Sequence, residues 1–264
     1  MKRLWSIFYR YLISFWINPL LFLIWIKNIY RYISSFLTFQ KNIIKKDFPI
    51  YCSYPCLHDK DDTSWVANGH YYHQDLLIAQ KIFKNSPKKH IDIWSRVDWF
   101  VAHVASYREI EVFDIRNLES KSTNIVFKQL DLMWDISLEY IEITDSLSCL
   151  HTIEHFWLWR YGDDIDYNGH IKGFQQMTKI LKSWWIFYFS TPISKNQRIE
   201  FNAHRIFSLK YLIENMFQDI FEIISFSYVD DKWDLHKDIV LDKKNISSVF
   251  NLNYGCGIFE LKKR

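Results

Sequence analysis

The sequence predicts an α/β fold, a mostly parallel central sheet with helices on both faces, preceded by an N-terminal helical appendage. Three observations carry this. From Gly69 onward, short apolar runs alternate with stretches of helical period, the pattern of strands joined by crossover helices. Acidic residues close three successive predicted strands. The first 46 residues differ in charge from the rest: eight Lys/Arg and no acid precede Asp47 in a chain of 264 residues with 33 basic and 30 acidic side chains.

The elements follow in order. Residues 4–38 are apolar and aromatic, with basic punctuation at Arg10, Lys27 and Arg31. The uncharged stretch 11–26 holds 16 residues and contains Pro19. That is shorter than the roughly 20 apolar residues a spanning helix needs, and no small-residue cleavage site follows it. Residues 1–46 therefore read as a basic amphipathic appendage making peripheral membrane contact. Residues 47–68, with Pro49, Pro55 and "HDKDDTS", read as a linker, and 69–264 as the folded domain. There, 69–85 is a helix stopped by Ser86-Pro87, 88–93 a strand, and 97–107 a helix. Strands follow at 109–115, 124–132 and 145–151, then a helix at 168–182 and a strand at 186–192. A helix near 208–216 and strands near 220–228 and 256–262 complete the domain.

Beyond residue 46 the basic residues fall five short of the acidic ones, which argues against non-specific nucleic-acid binding. The cysteines Cys52, Cys56, Cys149 and Cys256 form no disulfide framework and no second close pair for zinc, so no metal is expected. Free thiols in a reducing cytoplasm are the expectation, with the inner face of the membrane as the place where the appendage would hold the chain.

In an open α/β sheet, ligands bind outside the carboxyl ends of the strands. Asp92 ends the first strand, Asp114 the second, and Asp131 follows the third. A carboxylate after the second strand suits both ribose hydroxyls of a nucleoside cofactor, and one after the third reaches an adenine amine. The competing reading, solvated acids at strand ends, has about equal weight for each acid taken alone.

"HIDIWSRVDWF", "VFDIR", "QLDLM", "DSLSCLHTIEHF" and "ILKSWWIFYFSTP" resemble the ordered motifs of class I S-adenosylmethionine-dependent methyltransferases, with their Rossmann-like fold. More closely, the chain from Gly69 to Leu261, with "NAHR" at 202–205 and "NYGCG" at 253–257, resembles an uncharacterised methyltransferase-like family of bacteria and nematodes. The resemblance implies S-adenosylmethionine as cofactor, Asp114 on the ribose and Asp131 on the adenine side. The turn Asp92, Trp94, Ser95, Arg96 and Asp98 would then shape the methionine pocket.

The departures from the pattern are of one kind. Where the family or the methyltransferase motifs carry glycine, this chain has Trp94, Trp99, Trp157, Trp159, Trp184, Trp185 and Trp233. The chain holds twelve Trp and six Gly, against a usual glycine share of about 7%. Some bacterial lineages read the codon UGA as glycine and other codes read it as tryptophan, so translation with the wrong table would make this exchange. A family member that accumulated tryptophan as it decayed is the alternative.

"HTIEH" fits the inverted zinc-peptidase spacing. It also sits after the fourth strand, where His151, Glu154 or His155 could take a proton from an acceptor, and a purely structural role stays open. Tyr161, Asp163, His170, His204, Arg205 and His236 are candidates for the substrate side, in loops carried on the scaffold. The expected function is methyl transfer to a small-molecule or glycan-like acceptor. The alternatives are a non-catalytic member of the fold that interacts in membrane-associated surface-polysaccharide assembly and, ranked last, a metal hydrolase.

Overall fold

The computed structural model describes residues 19–41, 67–119, 121–161 and 163–264. The chain divides into two compact units, Met1–Val66 and Ala67–Arg264. Of the first, the described part is the helix α1, Pro19–Lys41. Pro19 opens it, where a missing backbone N–H costs nothing. Among the described residues no helix is long and apolar enough to cross a membrane. Cys52, Cys56, Trp5, Trp16, Trp65 and the predicted linker up to residue 66 lie outside the described residues.

Among the described residues the second unit has ten strands and five α-helices, with π-helical and 3-10 turns between them. After α2 (His70–Asn85) comes β1 (His90–Ile93), then a π-helical turn, Val97–Val101, running into α3 (Ala102–Ala105). Next are β2 (Ile110–Asp114), β3 (Ile125–Gln129), β4 (Thr144–Leu150), α4 (Gly169–Ile180) and β5 (Leu181–Ile193). A hairpin of β6 (Arg198–Glu200) and β7 (His204–Ile206) precedes α5 (Leu209–Tyr211), which continues as a second π-helical turn, Leu212–Phe217. β8 (Phe221–Val229), β9 (Leu235–His236), α6 (Lys243–Ser248) and β10 (Gly255–Lys263) complete the unit.

Eight strands form one sheet in the order β3-β2-β1-β4-β5-β10-β8-β9. β1 to β5 pair in parallel, and β10 lies antiparallel between β5 and β8. The chain moves outward from β1 to β3, then restarts on the other side of β1 with β4, so the crevice between β1 and β4 is the switch point at which such sheets bind ligands.

Alternation along the strands makes the two cores. Phe187 and Phe189 of β5 join Phe174, Met177, Leu212 and Phe217 on one face. Tyr188, between them, joins Ile78 and Ile82 of α2, Phe100 and Val104 on the other. Side chains two apart share a face, so one strand feeds both layers.

The central strands fall where hydrophobic period and strand-end acids put them. The difference at β5 is informative. Its pairing with β4 jumps from Thr144–Leu181 to Ser146–Ile186, so Lys182–Trp185 bulge out of the ladder with Trp184 at φ 71°. β6, β7, β9 and α6 went unpredicted because each is too short to show a period.

Two predictions follow from this packing. His90 is fully buried in β1, its nitrogens 2.8 and 3.1 Å from the hydroxyls of Ser146 and Ser148, and burial holds it neutral, down to about 3 from 6.5. Its contribution to stability is complete above pH 6.5 and is lost as pH falls toward 3, because only the unfolded chain binds the proton there. His90→Gln should therefore flatten part of the acid limb of a denaturation series run from pH 7 to 4. Trp184 is 71% exposed in left-handed backbone. Trp184→Gly should stabilise the fold by about 1 kcal/mol in urea melts, since a Cβ in that conformation costs about 1–2 kcal/mol and an exposed indole recovers little.

Candidate functional site

A cavity of about 280 Å³ opens at the carboxyl ends of β1 and β4, lined among others by Asp75, Trp94, Ser95, Arg116, His151 and Tyr161. The turn after β1 is braced from below. Ser95 donates to the two oxygens of the Asp92 carboxylate from its backbone N–H and hydroxyl, both at 2.9 Å, and the Ser148 hydroxyl of β4 donates to it as well. Burial pushes Asp92 up to about 6 against these hydrogen bonds. Asp92 thus holds the turn's shape, with its oxygens already engaged.

Trp94 leaves β1 at φ 61°, anchored by its N–H on the Phe113 carbonyl at 2.9 Å. Its indole turns inward against Phe156, ring centroids 4.6 Å apart, and its Nε1 is buried without a hydrogen-bond partner. Arg96 pairs with Asp98 at 2.7 Å on the exposed side of the turn. At the end of β2, Asp114 is taken by its own neighbour: the Arg116 guanidinium donates to both oxygens at 3.0 and 2.6 Å and lies over the Tyr161 ring. Asp131 accepts the Met133 N–H at 2.9 Å, closing a local turn.

The acid–base groups sit at the end of β4. His151, at φ 51°, places Nδ1 3.0 Å from Glu154 Oε1, while its Nε2 is buried with no partner. Burial drives His151 down to about 3 and pushes Glu154 up. His155 approaches Glu154 at 3.8 Å, and His204 lies beside His155 with ring centroids 6.2 Å apart. Burial lowers both imidazoles. The sequence spacing of "HTIEH" does not become one helical face: His151 follows the last residue of β4 and Ile153–His155 is a single 3-10 turn. Among the described residues no group of three or more His, Cys, Asp or Glu could hold a metal ion.

The proposed substrate-side residues separate. Tyr161 lines the first cavity, and Asp163 beneath it accepts the Tyr161 N–H at 2.9 Å. His170 and Arg205 instead line a second cavity of about 220 Å³ with Tyr167 and Tyr211. Arg205 is buried and donates to the carbonyls of Phe156, Asp166 and Tyr167, tying the loop after β4 to β7. His236 lies in β9, lines neither cavity, and pairs with Asp230 at 2.9 Å.

Sequence reading missed Tyr71, Gln74 and Asp75 of α2, Arg116 and Arg160. Asp75 is buried and pushed up to about 7 by desolvation, with one hydrogen bond, from Gln74. The signal was there: polar His70, Gln74 and Asp75 share a buried face with Leu77 and Ile78, where a structural helix would carry only apolar groups.

The cofactor that the sequence resemblance implies does not fit the residues present. The Trp94 indole occupies the wall of the cavity, and the Asp114 carboxylate is covered by Arg116.

Comparison with known proteins places the chain. No curated protein matches it. Among solved structures it is similar to the (4+2) cyclase SpnF, at 12% identity and TM-score 0.50 over 72% of this chain and 80% of that one. It is equally similar to the 1,6-didemethyltoxoflavin-N1-methyltransferase of Burkholderia thailandensis, solved with 1,6-didemethyltoxoflavin and S-adenosylhomocysteine bound. There the identity is 12% and the TM-score 0.50 over 72% and 78% of the two chains. At such identities the likeness shows the fold, which is that of the class I methyltransferases. Residues 106–253, more than half of the chain, match the model of the family described as "Caenorhabditis protein of unknown function, DUF268". The chain belongs to that DUF268 family.

Proposed function

We propose that the chain is a methyltransferase whose acceptor, a small molecule or glycan carrying a hydroxyl or amine, is deprotonated by His151. The carrying observation is the His151–Glu154 pair at the switch point: His151 lines the cavity, and its Nε2 is buried without a partner. A neutral imidazole that donates Nδ1–H to Glu154 keeps Nε2 as an acceptor. A proton arriving there would be stabilised by the carboxylate behind it, against the burial that lowers His151 to about 3. Glu154 acts as the orienting partner, and the Thr191 hydroxyl donates to its other oxygen at 3.4 Å. Tyr71 and Tyr161 at the mouth supply an apolar edge against which a sugar or ring-shaped acceptor can lie.

S-adenosylmethionine is the cofactor this reading assigns to the cleft beside the Asp92–Asp98 turn, Asp114 and Asp131. With Trp94 in place the cleft does not admit it, so the reading concerns a cleft from which that indole is removed. The closed cleft also favours a second reading, a non-catalytic member of the fold. Its role in membrane-associated polysaccharide assembly would rest on residues 1–46.

Calorimetry with S-adenosylhomocysteine separates the two readings. The Trp94→Gly, Trp99→Gly protein should bind it, and Asp114→Ala in that background should weaken binding about ten- to a hundredfold, the value of hydrogen bonds to a charged group. Absence of binding by a folded Trp94→Gly, Trp99→Gly protein would overturn the enzymatic reading in favour of the non-catalytic one. In the binding-competent protein, His151→Gln should leave cofactor affinity unchanged and lower transfer of a labelled methyl group by about 10²-fold or more.

A further inference from the structure

Between Ala67 and Arg264 the chain has eight tryptophans, and five of them have left-handed backbone. These are Trp94 at φ 61°, Trp157 at 57°, Trp159 at 63°, Trp184 at 71° and Trp233 at 72°. Positive φ is a matter of a few per cent for residues other than glycine, concentrated in Asn, Asp and His, and a bulky side chain there is an outlier. Nine other non-glycine residues share the conformation here, among them Asn124, Asn202, Asn251, Asp238 and His151, the types expected to tolerate it. Val249 and Phe250 also have it, side by side at one helix kink. The five tryptophans are spread over four places: the turn after β1, the loop after β4 that holds both Trp157 and Trp159, the β5 bulge, and the turn between β8 and β9.

Packing does not explain the exposed ones. Trp159, Trp184 and Trp233 are 61%, 71% and 42% exposed, so burial of the indole does not offset the backbone cost. Trp94 and Trp157 are buried in the core, against Phe156 and near Trp134 respectively, yet both keep the positive φ, and the Trp94 Nε1 is buried without a partner.

We infer that the protein made in its own cells carries glycine at 94, 157, 159, 184 and 233, each encoded by UGA read as glycine. On this inference the glycines already in the chain are encoded by ordinary codons; Gly169, Gly173, Gly255 and Gly257 among them stand at close contacts. The consequence at the switch point is direct. Without the indole at 94, the cavity bordered by Asp75, Ser95 and His151 extends over Phe156, and the buried Nε1 disappears. Trp99 lies in the π-helical turn and Trp185 in the β5 bulge, both without positive φ, so the backbone assigns neither.

The inference does not rest on the methyltransferase reading: ligand binding decides that reading, while codons and peptide masses decide this one. The test is to read the five codons and to sequence the peptides covering them by mass spectrometry, using protein isolated from the source cells. UGA codons with glycine in the peptides are the expected result. UGG codons at these positions, or tryptophan in the peptides, overturn it. A second readout is the equilibrium unfolding of the chain as given against the chain with all five Trp→Gly exchanges. The exchanged chain should have a folded-to-unfolded ratio at least tenfold higher; an equal or lower ratio contradicts the structural argument.

Discussion

How the chain leaves β1 decides the rest of the site. A parallel strand delivers its backbone to the switch point, and the next residues must turn sharply without covering the crevice they border. Asp92 makes the turn possible by accepting from Ser95 twice and from Ser148 of β4, which ties the two strands flanking the crevice to one buried carboxylate. The positive φ at the next-but-one residue then sets the direction of exit. A glycine there would leave that space free, whereas the indole of Trp94 fills it, packed inward against Phe156.

The acid–base side of the site depends on a similar device. His151 also has positive φ, which turns it out of β4 and back toward Glu154, three residues on. The stacking of His70 on His151 at 5.3 Å, and of Tyr254 on His70 at the same distance, closes the far side with aromatic rings. Burial drives His70 to about 3 as well, so the rings beside the dyad are uncharged. A proton gained at His151 therefore has Glu154 as its hydrogen-bonded counter-charge.

The fold was largely legible in the sequence because its signals are repeated: apolar strands at regular spacing, acids at their ends, helices between them. Of the candidate site, the sequence placed Asp92, Asp114 and His151 at strand ends, and the structure has them there. Asp114 and Asp131 were read as free ligands because spacing says nothing of a partner two residues away, Arg116 for the one and the Met133 N–H for the other. His170 and Arg205 were grouped with the first mouth, yet the β6–β7 hairpin, too short to register as a pattern, carries Arg205 to a second cavity. Asp75 was missed because a helix read for its apolar period hides the polar residues on the same face.

The central proposal is that the crevice between β1 and β4 is a cofactor cleft obstructed by the Trp94 indole, with the Arg116 guanidinium on Asp114 beside it. The most direct measurement is the shift in melting temperature caused by S-adenosylhomocysteine, taken side by side on the chain as given and on its Trp94→Gly variant. A ligand that binds only the native state raises the melting temperature in proportion to the logarithm of its concentration over its dissociation constant. The account predicts a concentration-dependent rise for the variant and none for the chain as given. An equal rise in both, or none in either, would contradict it.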